Sequence, residues 1–440
     1  MIKDKTVTEF LDNEYSGSAL YMNYRATPSY IDGLKNGARK AVYTLKKRGK
    51  TGELKVSNFA GAIIEESNYI HGNTSMEGTL VTLAQNYRGA NNLPILEGIG
   101  SFGTTFINEA SASRYIFVKA PPYFELLFRN TDEPALVEQT FEGDTVEPRY
   151  YIPTLPLVLI NGCTGIGVGF ACKILDRNPK NIIKAIRNKL DGKRLTKNLF
   201  VPDWNGFTGT VVSLGNNKWE IRGSATQNGK KITITELPVG YELQQYLSIL
   251  KKLRDKNIIT KFDDFSEDDR YSFIVTLSDE ENKKSFEEIF NDLKLSVTIT
   301  ESLTCVDENN AIVEFTSAEE LFDRYYKFKM ESLQIRLDNE IERLEKEAAE
   351  LKEIQDFILA VIDDRINIKS KRSELEDKMK SLGFTITQKL ISMPLYSLTV
   401  EKCDEARKKY MEKCDEIDRM KKETPKTLWL KDLGLIEKYV

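Results

Sequence analysis

Apolar positions recur along this chain with two different periods, and the changes between them mark out its organisation. Ala38, Ala41, Val42 and Leu45 fall at i, i+3, i+4 and i+7, which predicts an amphipathic helix from Asn36 to Arg48, stopped by Gly49. Phe59, Ala62 and Ile63 predict a short second helix from about Ser57. A third is expected from Thr74, where Thr74-x-x-Glu77 reads as a capping box before Leu80, Leu83, Ala84 and Tyr87. Residues 84–109 read as loops, rich in asparagine and glycine. Tyr115 to Val118 is a short strand pattern, ended by Pro121-Pro122. Leu157 to Ile160 reads as a buried strand feeding a loop with Gly162, Gly165, Gly167 and Gly169.

Residues 206–300 alternate between the two periods. Gly209 to Ser213, Lys218 to Arg222 and Lys231 to Thr235 read as strands, and Tyr241 to Lys256 and Glu280 to Leu293 as helices, so a mixed α/β domain is expected. From Ser317 a helical seam takes over: Leu337, Ile341, Leu344, Ala348, Leu351, Ile354, Ile358 and Val361 predict a coiled-coil helix about 65 Å long. A second charged helix, Thr399 to about Lys422, would fold back against it around a small unit near 365–398. The expected domains are 1–150, 151–316, 317–364, 365–398 and 399–440, in a multidomain α+β fold.

Composition changes this picture in one place. The chain of 440 residues has a net charge of −4, which excludes a globally basic nucleic-acid binder. Arg25 to Lys55, however, holds nine basic residues (Arg25, Lys35, Arg39, Lys40, Lys46, Lys47, Arg48, Lys50 and Lys55) against Asp32 and Glu53. Short helices with a basic face resemble a winged-helix unit, and a plain solvated surface is the competing reading. Five scattered cysteines without a CxxC pair, and a single histidine, His71, exclude a zinc site and predict a reduced, cytoplasmic protein. Met1 to Lys5 has no apolar signal region, and no 18-residue apolar run occurs, so neither secretion nor a membrane span is expected. The glycines at 162–169 do not have the dinucleotide-binding spacing, and there is no P-loop motif.

Several segments, in order, resemble the breakage-reunion subunit of type IIA DNA topoisomerases. Arg25-Ala-Thr-Pro with Asp32-Gly-Leu-Lys35 and Arg39-Lys40 is similar to that family's RALP…DGLKPVQRR segment. Tyr69-Ile-His71-Gly72 resembles its HPHG or YHHG, and Ala84-Gln85-Asn86 through Gly98-Ile-Gly-Ser-Phe-Gly103 its AQNF…GxGxFG. Ala112-Ser-Arg-Tyr-Ile-Phe117 resembles AAARYIY, Asn161 to Gly169 resembles NGxxGIxxG, and Glu236-Leu-Pro238 and Met393-Pro-Leu395 match later segments. Within the family the likeness is strongest to the medium subunit of the T-even-type bacteriophage enzymes, with gyrase A and eukaryotic topoisomerase II as wider relatives. Three positions depart from the pattern: Tyr69 or Ile70 replaces the first histidine, Asn36-Gly37 replaces Pro-Val, and Asn73 stands where many relatives are acidic.

The resemblance implies a winged-helix DNA-gate domain, an α/β tower and a long antiparallel coiled coil bearing a small helical exit gate. It implies that Tyr115 attacks a DNA phosphodiester to form a 5′-phosphotyrosine, with Arg114, Arg25 and His71 completing the catalytic set. Lys35, Arg39 and Lys40 would hold phosphates, and Ile166 would wedge between base steps. Mg2+ and ATP would be bound by a partner subunit with GHKL ATPase and TOPRIM units, and the chain would dimerise through its DNA gate and exit gate. The chemistry agrees: a phenol with a pKa of about 10 needs help to attack, and neighbouring guanidinium groups stabilise charge on the attacked phosphate. Arg114 and Tyr115 can serve one site only at a bend, because strand neighbours point to opposite faces. Alternatives are the A chain of a gyrase or topoisomerase IV, and a non-catalytic DNA-binding coiled-coil scaffold.

Overall fold

The computed structural model describes residues 6–49 and 52–440. The reading of Met1 to Lys5, and Lys50 of the basic run, lie outside the described residues. The chain divides into two compact units: Met1–Asp132, Leu136–Lys329 and Leu430–Val440 form the first, and Glu133–Ala135 with Met330–Trp429 the second. The expected segments 1–150 and 151–316 therefore fall almost entirely within one unit.

In the first unit, the helices Ser16–Ala26, Asn36–Arg48, Val56–Ser67 and Asn73–Ala84 come early. The Asn36–Arg48 helix has the extent its apolar spacing predicts and stops at Gly49, whose φ of 71° suits glycine. Its Ala38, Ala41, Val42 and Leu45 are buried, as are Phe59 and Ile63 of the next helix and Leu80 of the one after. The expected capping box at Thr74 does not form; Gly72 caps that helix without a side-chain bond. A three-stranded antiparallel sheet follows, with Phe117–Lys119 between Leu54–Lys55 and Glu97–Ile99.

Two strand expectations change. Leu157–Ile160 is one buried helical turn rather than a strand, entered from Pro156 and closed by the Asn161 N–H bonding Leu157 O at 2.9 Å. A short, fully apolar run has no periodicity to separate the two. Tyr115 precedes the strand, which begins at Phe117, and lies in a turn.

The remainder of this unit includes two larger antiparallel sheets. One orders its strands as Ser224–Asn228, Lys231–Glu236, Phe273–Leu277 and Ile259–Asp264. Ile232, Ile234, Phe273 and Val275 pack there against Tyr246 and Leu250 of the Leu243–Asp255 helix. The other places Lys218–Arg222 between Ser296–Thr300 and Thr210–Gly215.

The second unit is built on most of the 45-residue Ala318–Ile362 helix and the Val400–Met420 helix. Leu344 and Ala348 pack with Ile417, while Cys403 Sγ lies 3.9 Å from Gln355 O. One helix's numbers rise as the other's fall, so the pair is antiparallel. Between them, Phe357, Ala360, Ile366, Leu375, Met379 and Leu390 form a small separate core. The long helices give the coiled-coil seam something to bury, and this small core gives their joining segment a fold of its own.

Candidate nucleic-acid and cleavage site

Tyr115 stands on a turn pinned from three sides. Its own N–H bonds Ala112 O at 2.9 Å. The first two N–H groups of the Val56–Ser67 helix bond to carbonyls that bracket the pair: Ser57 N to Ser113 O at 3.4 Å, and Val56 N to Ile116 O at 3.1 Å. Those helix-start donors have no partner within their own helix, so the turn supplies one. On the other side, Gly100, at φ 105°, closes over Ile116; a Cβ there would lie 3.0 Å from the Ile116 side chain. The backbone is fixed while Tyr115 itself is 69 % exposed. Arg114 lies over the tyrosine ring, its Cζ 5.0 Å from the ring centre. The turn thus resolves the strand-neighbour problem: both side chains can face one ligand.

A second group gathers at the end of the Ser16–Ala26 helix. Arg25 donates to Ser75 Oγ at 3.4 Å, and Ser75 Oγ lies 2.8 Å from Tyr69 Oη. His71 Nε2 is 2.5 Å from Tyr21 Oη, and its ring packs edge-on against Tyr69. Burial, then the Arg25 charge, holds the His71 imidazole below its ordinary pKa of 6.5. At neutral pH the ring is therefore mostly neutral, able to accept as well as donate. Among the described residues Arg25 makes no ion pair with a carboxylate, which leaves its charge available to a phosphate. Tyr69 is buried and committed to Ser75. No hydrogen bond, ion pair or ring contact joins this group to Arg114 and Tyr115 among the described residues. Tyr21 and Ser75 are not legible in the sequence as site residues, because Tyr21 meets His71, and Ser75 meets Arg25, across 50 residues of chain.

The glycine loop is a hairpin of Cys163–Ile166 with Ala171–Ile174. Strand alternation sorts its residues: Thr164 and Ile166 are exposed, and Cys163 and Gly165 are half-buried. A Cβ on Gly165 would lie 2.0 Å from Ala26 O, and one on Gly167 2.1 Å from Asn23 Oδ1. Glycine on both sides of Ile166 lets the hairpin lie flush on the Ser16–Ala26 helix. Ile166 is thereby pushed out, 83 % exposed. Lys35 holds the same hairpin, donating from Nζ to Thr164 O at 2.7 Å.

Arg39 and Lys40 correct the reading of the basic helix as a phosphate-binding face. Arg39 is 2 % exposed and grips Asp32 with two bonds, Nε to Oδ2 at 2.7 Å and Nη2 to Oδ1 at 3.1 Å, and Leu34 O at 3.0 Å. Lys40 Nζ is buried against Glu147 Oε2 at 2.8 Å and Ser67 O at 2.5 Å. Desolvated guanidinium and ammonium groups need such partners, and neither side chain has a face left for DNA. Arg48 pairs with Glu66, so much of the local positive charge is neutralised within the protein.

Among the described residues, the Asp-Asp doublets are engaged elsewhere or sit in turns. Asp263 pairs with Lys261, Asp264 caps the Ser266 N–H, and Asp363 pairs with Arg365. Asp268, Asp269 and Asp364 sit at positive φ in turns. No group of three or more candidate ligands converges among the described residues. All five cysteines are free thiols, and no helix among the described residues is long and apolar enough to cross a membrane.

The chain resembles known proteins over nearly its whole length. It is 31 % identical over 457 aligned residues to the mitochondrial DNA topoisomerase 2 of Dictyostelium discoideum, covering 100 % of this chain and 35 % of that one. It is 35 % identical over 382 residues to DNA topoisomerase 2 of Bombyx mori, covering 84 % and 24 %. The chain thus spans about a third or less of these curated relatives. Its structure matches the DNA-binding, cleavage and re-ligation domain of Plasmodium falciparum topoisomerase II with a TM-score of 0.86 at 30 % identity, covering 98 % of this chain and 64 % of that one. The family model for the A chain of DNA gyrase/topoisomerase IV matches residues 25–434, and this chain belongs to that family.

Proposed function

We propose that the chain is the DNA-cleaving and rejoining part of an ATP-dependent type IIA topoisomerase. The observation that carries this reading is the Arg114–Tyr115 turn: an exposed phenol beside a guanidinium, on backbone held from three sides. The Tyr115 oxygen attacks a backbone phosphorus, its proton leaves, and the bond from phosphorus to the 3′ oxygen breaks. The products are a 5′-phosphotyrosine and a free 3′ hydroxyl; attack by that hydroxyl reverses the step and releases the tyrosine. Arg114, with Arg25 from the second group, neutralises charge on the phosphate. His71 binds phosphate or passes a proton. Lys35, at the base of the hairpin, adds positive charge beside the bent duplex.

The early helices and three-stranded sheet act as a winged-helix gate, residues 151–316 as a tower, and the antiparallel helices with their small core as an exit gate. Leu395 and Tyr396, each 74 % exposed on the small core's segment, suit contact with a second copy of the chain. A C2 dimer would bring two Tyr115 residues to opposite strands. Mg2+ and ATP are assigned to a partner subunit with TOPRIM and GHKL units, as in the separate-subunit phage enzymes this chain resembles.

The test combines the chain, that partner, Mg2+, ATP and supercoiled plasmid. Tyr115→Phe should slow relaxation by at least about a thousandfold, since it removes the nucleophile. Equal rates for variant and parent would leave the scaffold reading standing.

A further inference from the structure

We propose that Asn23 is the positioning residue of the Ile166 wedge, an inference that rests on the DNA-bending role given to Ile166 above. The hairpin ladder ends at the Ile166–Ala171 pair, and Gly167 N–H closes the turn on Phe170 O at 2.9 Å. Val168 lies beyond that ladder, and Asn23 takes both of its backbone groups. Asn23 Oδ1 accepts from Val168 N–H at 2.6 Å, and Asn23 Nδ2 donates to Val168 O at 3.1 Å. Asn23 is only 5 % exposed, and its two bonds to the half-buried Val168 are partly shielded from solvent. A carboxamide offers one acceptor and one donor side by side, the pair that a single residue's C=O and N–H require. Gly167 is part of the same fit, because a side chain there would collide with Asn23 Oδ1.

The mechanical consequence follows from the load. Parting stacked bases opposes the wedge with the free energy of lost stacking at that step. A hairpin tip secured only by its own turn would swing away under that load, since two-stranded hairpins are marginally stable on their own. Clamped to a helix, the tip transmits force to the bases. The same helix carries Arg25 two residues on, so one rigid element sets both the wedge and a phosphate-facing cation.

The experiment uses the chain with its partner subunit, Mg2+ and a duplex carrying a fluorophore at each end. Asn23→Ala should reduce the bend, read by energy transfer, to that of Ile166→Ala, while duplex affinity changes less than about threefold because phosphate contacts are untouched. Asn23→Asp keeps the size and the acceptor but sets an oxygen against Val168 O, and should also lose the bend. A merely structural role would lower the melting temperature or affinity and leave the bend of the bound fraction unchanged. Wild-type bending by both Asn23 variants, with bending lost in Ile166→Ala, would overturn the clamp. Wild-type bending by Ile166→Ala would instead overturn the wedge reading itself. Should the Asn23 variants fail to fold, amide exchange in the unmodified chain decides: the Val168 N–H should be protected without DNA, and exchange at open-loop rates would overturn the clamp.

Discussion

The basic helix Asn36–Arg48 and the hairpin Cys163–Ile174 use their residues in opposite ways. The helix looks from its composition like a surface for DNA, yet Arg39 and Lys40 point inward and are held by Asp32 and Glu147. The hairpin follows a buried apolar run in the sequence, and it holds Ile166 out in solvent. The turn at Tyr115 follows the hairpin's pattern: backbone atoms make the fixing bonds and the reactive side chain is left free. Arg39 and Lys40 have their polar atoms engaged inside the fold, whereas Tyr115 and Ile166 are positioned through their backbone and left exposed.

Removing one partner of a buried pair gives the largest expected contrast. Arg39→Ala leaves Asp32 buried without its countercharge and should cost about 3–5 kcal/mol in denaturant unfolding of the first unit. Lys35→Ala loses one exposed-side hydrogen bond and should cost about 1 kcal/mol. Equal costs would erase the distinction between the inward and outward cations. Next in size, Ile166→Ala should remove most of a duplex bend of the order of 20–90° while leaving binding intact. An unchanged bend in energy-transfer measurements would return Ile166 to an incidental surface residue.

The extent of legibility in the sequence differs between these regions for a physical reason. Helix Asn36–Arg48 and its Gly49 stop follow from local spacing, because burial of one face repeats every three or four residues. The coiled-coil helix is legible in the same way. The fate of the basic helix's charges is not: Glu147 lies 107 residues from Lys40, and local charge counting cannot include it. Motif resemblance picks out Tyr115, Arg114, Arg25, His71 and Ile166, and the structure shows how each is held. Asn23 escapes a local reading because both of its partners are on Val168, 145 residues away. The turn at Ala112–Tyr115 is foreseeable only as a bend that two strand neighbours would need to share a site. The Leu157–Ile160 turn reads as a strand because its four apolar residues are buried all round.

The smallest effect concerns His71. It is the only histidine, so one imidazole resonance can be followed by proton NMR without assignment. Its titration midpoint should lie below 6.5, and Arg25→Ala should raise it by removing the neighbouring charge. With the folded value below the unfolded one, the unfolded chain takes up the proton first. Stability should therefore fall as pH drops through about 6.5 toward the folded value, and His71→Gln should flatten that slope. A midpoint above 6.5 would contradict the Tyr21–His71–Arg25 arrangement.

The most direct measurement is to trap the cleaved complex with Mg2+ and the partner subunit, denature it, digest both components and locate the nucleotide adduct by mass spectrometry. The predicted result is a 5′-phosphoryl nucleotide on the Tyr115 oxygen and none with Tyr115→Phe. An adduct on another residue, or cleavage with Tyr115 unmodified, would contradict the assignment of Tyr115 as the nucleophile.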